Sequence, residues 1–184
     1  MRAGRLAAMI AAILRHIDRL AIWAAALAAA CLISMAVLMM GEVIARSAFS
    51  QSLVFSWEFS GYLMGATFLF GAAHTLRSGG HVRVSLLAEH LPRGLARGLD
   101  YFSTLVGIVV TAYILYALCD LTYSSYTRDI VSFTPTQTPL IVPQGVLAIG
   151  ALLLFLQMLA RLIRLFRKQE PDLVHDSQML DREL

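Results

Sequence analysis

Four apolar runs dominate this chain, at about 20–41, 59–76, 101–119 and 142–160. Each is close to the roughly 20 residues that a helix needs to cross the hydrocarbon core of a bilayer. Inside that core no water satisfies the backbone, so a crossing segment must bond its own N–H and C=O groups. The expected fold is therefore an all-α membrane protein, with four transmembrane helices in a single domain over 1–184. The second run is the shortest and carries His74 near its end. Composition agrees: 58% of residues are hydrophobic and 15% charged, with a mean hydropathy of +0.69, too apolar for an ordinary soluble domain. The net charge of +3 does not indicate a nucleic-acid partner, because the arginines lie beside apolar runs and no polar domain gathers them on one face.

The placement of those arginines gives an orientation. Arg2, Arg5, Arg15 and Arg19 precede the first run, Arg77, Arg83, Arg93 and Arg97 lie between the second and third, and Arg161, Arg164, Arg167 and Lys168 follow the fourth. The other two connections contribute Arg46 and Arg128 alone. Basic loops stay on the cytoplasmic side, so both termini and the middle connection are expected inside a bacterial inner membrane. A signal peptide over the first 30 residues is disfavoured, because Arg15, His16, Asp18 and Arg19 interrupt the apolar run, which then continues past Cys31. Residues 5–17 have helical composition and two open placements: along the inner surface, or as an extension of the first span. The segment 169–184 turns polar after Pro171 and is expected to be partly disordered on the cytoplasmic side.

Within the runs, small residues mark candidate packing faces, because helices in lipid associate by close backbone approach. Gly61 and Gly65 form a GxxxG in the second run, and Ser103, Gly107 and Thr111 recur every four residues in the third. Glu42 with Arg46, Glu58, Asp100 and Asp120 all fall near span ends. Ionisable groups in membranes are candidate ion-coupling sites, but these positions fit anchoring: Glu42 precedes Arg46 by one turn, and Glu58 and Asp100 fall in first turns, where the helix dipole favours a carboxylate. Trp57, Tyr62, Tyr123 and Tyr126 suit an interfacial aromatic belt. Cys31 and Cys119 lie inside spans with no CxxC partner and are expected to pack as small hydrophobes.

Between the second and third runs stands RSGGHVRVSLLAEHLPRG, crowded with arginine, histidine and glycine. Gly79 and Gly80 permit a sharp turn. Val84, Leu87, Ala88 and Leu91 then recur at helical spacing, with Arg83, Glu89 and His90 largely on another face. An amphipathic interfacial helix on the inner surface is expected, its Leu87 and Leu91 buried at the acyl boundary and its arginines near lipid phosphate. His81 and His90 with Glu89 have no metal-ligand spacing, and His74 is the one histidine within a span. A haem would need two from different helices. No catalytic residue, cofactor or metal site is expected.

Trp57-Glu58 opening a span, Phe68-Leu69-Phe70-Gly71-Ala72-Ala73, Arg77-Ser78-Gly79-Gly80-His81-Val82-Arg83-Val84, Leu91-Pro92 and Val142-Pro143-Gln144-Gly145 occur in order along most of the chain. In this the sequence resembles the small membrane subunit, DctQ-like, of tripartite ATP-independent periplasmic (TRAP) transporters. It departs in the connection SFTPTQTPLIV, which lacks a tryptophan. The resemblance implies a non-catalytic scaffold that partners a large elevator-type permease subunit, with sodium-driven uptake of an organic anion delivered by a periplasmic solute-binding protein. Two other readings compete: a membrane-anchor subunit of a respiratory redox complex, with or without haem, and a small exporter coupled through Glu42.

Overall fold

A computed structural model of the protein describes residues 2–78 and 93–167. Among these residues the chain forms four long helices, α1 (Arg2–Phe49), α2 (Val54–Arg77), α3 (Arg93–Thr127) and α4 (Ile141–Phe166). Helix α1 packs along α2 and α3 along α4, while α4 also packs on α2 and reaches α1. α4 therefore joins the two pairs. The expected interfacial helix, with His81, Arg83, Val84, Leu87 and Leu91, and the tail 169–184 lie outside the described residues.

Three of the helices are long and apolar enough to cross a membrane: Ala8–Phe49 of α1, Arg97–Thr127 of α3 and all of α4. α2 is helical over its expected span but is not among them; Ser56, Glu58, Ser60, Thr67, His74 and Thr75 dilute its apolar run. Residues 5–17 continue the first span without a break. At 1.5 Å per residue, the 48 residues of α1 extend about 72 Å, more than twice a hydrocarbon core.

The bundle is built inside out relative to a water-soluble protein. Its centre is alanine and polar side chain: Ala24, Ala28, Ala66 and Phe70 form the core cluster, and the largest fully buried side chains are Gln157 and Thr104. Its outside is large and apolar, with Trp23, Phe68 and Tyr113 each 71% exposed. Such a surface is stable where the surroundings are hydrocarbon and a liability in water. Small interior residues let the helix axes approach, which in lipid is the main source of association. A close approach that no side-chain rotation can relieve is at Gly150 of α4, where an added Cβ would stand 2.8 Å from Leu69 Cβ on α2.

Two connections are described. Ser50, with φ 52°, turns the chain out of α1, since the left-handed conformation ends a helix. Between α3 and α4, Val131 and Pro139 form a single antiparallel bridge, and Ser132 N donates to Thr138 O at 2.9 Å. The result is a small hairpin whose tip is Thr134 to Gln137.

Candidate functional site

The polar side chains that the helices share gather into two layers, one at each end of the bundle. At the arginine end, Asp18 of α1 receives two cations on one oxygen: Arg164 Nη2 of α4 lies 2.5 Å from Oδ1 and Arg77 Nε of α2 lies 2.9 Å from it. One turn earlier on α4, Arg161 Nε donates to Thr104 Oγ1 of α3 at 3.2 Å, and its Nη2 stands 3.6 Å from Asp100 Oδ1. Gln157 Nε2 donates to the carbonyl of Ile17 at 3.0 Å, and the Tyr101 hydroxyl donates to the carbonyl of Leu165 at 3.0 Å. Gln157, Arg161 and Arg164, each under 9% exposed, recur at helical spacing as one buried stripe that ties α4 to α1 and α3. Buried charges persist only when paired, so this register of the helices is tightly specified.

At the glutamate end, Glu42 organises the α1–α2 turn. Its Oε1 accepts from Arg46 Nη2 at 2.6 Å and from Ser52 Oγ at 2.9 Å, and its Oε2 accepts from the Leu53 amide at 2.6 Å. Glu58, in the opening turns of α2, is 8% exposed. Its Oε1 accepts from the Tyr62 hydroxyl at 2.7 Å; its Oε2 accepts from the Thr134 hydroxyl and from Thr136 Oγ1 at 2.5 Å. The Thr134 and Thr136 hydroxyls, followed by that of Tyr62, hold the Glu58 carboxyl down at about 2, because hydrogen bonds to the charged form favour it. Glu42 thus has its expected partner Arg46, whereas Glu58 and Asp100 lie beyond the first turns of α2 and α3, which hold no acidic residue; Glu58 is held by side-chain hydroxyls rather than by the expected helix dipole. Asp120 is exposed on α3.

The small-residue faces are only partly internal. Gly65 approaches Leu147, whose Cδ2 would stand 3.0 Å from an added Cβ, whereas Gly61 has open space. On α3, Gly107 faces Met158, whose flexible Cε would stand 2.7 Å from an added Cβ, and Thr111 is buried with its hydroxyl on Gly107 O. Ser103 is exposed, and the adjacent Thr104 takes the buried place, drawn there by Arg161. Of the motif residues, Trp57 is 82% exposed, Pro143 is buried at the start of α4, Gly145 adjoins Thr122, and Gly71 lines an open apolar groove of about 510 Å³ between α1 and α2.

Sequence reasoning missed the inter-helix pairing at the arginine end and the close approach at Gly150. The stripe Gln157–Arg161–Arg164 was a legible signal: polar groups one turn apart in an apolar helix need partners. Taken only as a marker of orientation, the two arginines conceal it. His74 Nδ1 is buried without a hydrogen-bond partner, and among the described residues no three His, Cys, Asp or Glu side chains cluster as metal ligands would.

Among the described residues, long apolar helices and an apolar exterior describe a membrane component. No curated protein matches the sequence. Residues 35–168 match the family described as tripartite ATP-independent periplasmic transporters, DctQ component, which lends no support to a redox-complex anchor. With that match running from mid-α1 through the arginine stripe of α4, the chain belongs to the DctQ family, the small membrane component of TRAP transporters.

Proposed function

We propose that this chain is the non-catalytic scaffold subunit of a TRAP secondary transporter, stationary while a large elevator-type permease subunit carries an organic anion inward with sodium. A periplasmic solute-binding protein delivers that anion. The observation that carries the reading is the arginine layer, in which α4 is bonded to α1 and α3 by buried polar groups and α2 shares Asp18 with it. A body cross-linked in this way suits a fixed support. Each described helix is also continuous, whereas transported anions are commonly held by half-helix termini at mid-membrane.

In this reading all four helices cross the inner membrane, with both termini and the arginine end cytoplasmic. The spacing of the two layers supports α2 as a span: Glu58 to Arg77 corresponds to about 28 Å of helix, and Asp100 to Asp120 to about 30 Å, close to one hydrocarbon core. The described helix 2–49 is longer than that, and its N-terminal turns then stand in the cytoplasm beyond Asp18. Gly61, with open space beside it, and the groove at Gly71 face outward, where the large subunit would pack.

Reconstitution tests this directly. Proteoliposomes holding the large subunit and this chain should take up solute when binding protein and a sodium gradient are supplied, and should lose uptake when this chain is omitted. Uptake by this chain alone, or undiminished uptake without it, would remove the scaffold reading.

A further inference from the structure

Helix α3 packs chiefly on α4, through a face that holds Gly107 and the buried Thr111. Its other side is open and carries a pattern. Val106, Val109, Tyr113, Tyr116, Asp120 and Tyr123 follow one another at alternating steps of three and four residues, and all are exposed. Such steps set one seam along a helix. The exposed residues beside the seam over the same length, Val110, Ala117, Cys119 and Leu121, bring neither hydroxyl nor charge. Lipid surrounds a helix evenly, so it gives no reason for polar groups to collect along one line.

The neighbours of α4 give the depth of this seam. Thr122 of α3 adjoins Gly145, and Leu147 adjoins Gly65 of α2, so Asp120, two residues nearer the middle of α3 than Thr122, stands level with about Gly65. That is seven residues deeper than Glu58, or about 10 Å of helix, and the exposed Trp57 stands beside Glu58. Tyr113 lies a further seven residues inside, again about 10 Å; it is 71% exposed and Tyr116 68%. At the level of Trp57 these side chains would suit an aromatic belt. At their own level, in a helix long and apolar enough to cross a membrane, a hydroxyl or an acidic group turned to hydrocarbon lacks the partner it had in water.

We infer that the seam is a contact face for a membrane-spanning helix of the large permease subunit, one that sets a basic side chain against Asp120 and acceptor groups against the hydroxyls of Tyr113 and Tyr116. Acidic residues at membrane depth pair with an opposite charge, and polar side chains hydrogen-bond across packed helices. An acyl chain offers neither. A second copy of this chain fits badly, because a two-fold pair lays the same patch on itself and would set one Asp120 against the other, a like-charge contact that interfaces avoid. The seam lies on α3, apart from the groove at Gly71 between α1 and α2. The identity of the partner rests on the scaffold reading; the demand for a basic partner helix rests on the seam.

The full chain, tagged, is co-expressed with the large subunit, and the large subunit recovered per tagged chain in detergent is measured beside the melting of each variant chain purified alone. Val109 and Val110 are both exposed neighbours, one on the seam and one off it. Val109→Trp should lower recovery about tenfold by overfilling the contact, Val110→Trp should leave it unchanged, and both chains should melt like the parent. Asp120→Asn should also lower recovery about tenfold, because it strands the partner's cation, and Asp120→Glu should keep most of it. Parental recovery in Val109→Trp and Asp120→Asn, or equal losses in Val109→Trp and Val110→Trp, would overturn the seam. Self-association of the parent chain that Val109→Trp abolishes would assign the seam to a second copy and overturn the partner named here. Uptake that depends on this chain, beside parental recovery in every variant, would remove the seam and leave the scaffold reading standing; a parent chain that recovers no large subunit would overturn both.

Discussion

Arg164 of α4 and Asp18 of α1 meet at 2.5 Å across 146 residues of chain, and Arg77 of α2 closes on the same carboxylate oxygen at 2.9 Å. One aspartate thus joins α1, α2 and α4. Arg164 is buried and the other two are partly so, and removing one member leaves the remaining charges uncompensated, which outweighs the attraction that is lost.

Asp18→Asn should therefore be the most damaging single change at this end, because it strands two guanidiniums at once, with a loss on the order of 3 kcal/mol. Arg164→Met should cost a comparable amount, and the double variant less than the sum of the two. Thermal melting of the purified chain in detergent provides the comparison. Additive losses would show that the two side chains are not coupled.

Close packing of α2 on α4 should fail at one glycine and survive at another. Gly150→Val places carbon against Leu69 Cβ, which is tied to its backbone and cannot swing aside, so overpacking of about 1–3 kcal/mol is expected. Gly61→Ala meets open space within the chain and should leave the melting of the isolated subunit unchanged. If Gly61→Ala nevertheless lowers recovery of the assembled complex, that face belongs to the large subunit.

The hairpin between α3 and α4 is held to α2 by a carboxylate whose charged form the hydroxyls favour. With the Glu58 carboxyl depressed from 4.5 to about 2, the stabilisation is fully present above 4.5 and is lost as pH falls through about 2. Hydrogen exchange over 128–140 should stay slow at pH 4 and accelerate only in stronger acid. In Glu58→Gln, which has a single acceptor oxygen for three hydroxyls, exchange there should be fast already at neutral pH.

Topology follows the arginines. Cysteine introduced at Ser52 should react with a membrane-impermeant maleimide added to intact cells from the periplasmic side, and cysteine at Ser85 should react only after the membrane is opened. Reaction at Ser85 with protection at Ser52 would invert the arrangement.

The helices, and the membrane as their solvent, were legible in the sequence because both follow from local properties. An apolar run of about 20 residues has to bond its own backbone in hydrocarbon, whatever its neighbours do, and the DctQ resemblance rests on short motifs read in order. Glu42 with Arg46 was also legible, since its partner lies one turn away. The placement of residues 5–17 was not, because helical composition serves a surface helix and an extended span equally well. Only the tertiary structure decided that Asp18, Arg77 and Arg164 belong together, that Thr104 rather than Ser103 turns inward, and that α4 meets α2 closely at Gly150. These choices depend on how four helices rotate about their axes against one another. In lipid that rotation is set by small-residue contact and by pairing of buried polar groups between segments far apart in the chain, and a hydropathy pattern that is apolar on every side does not encode it.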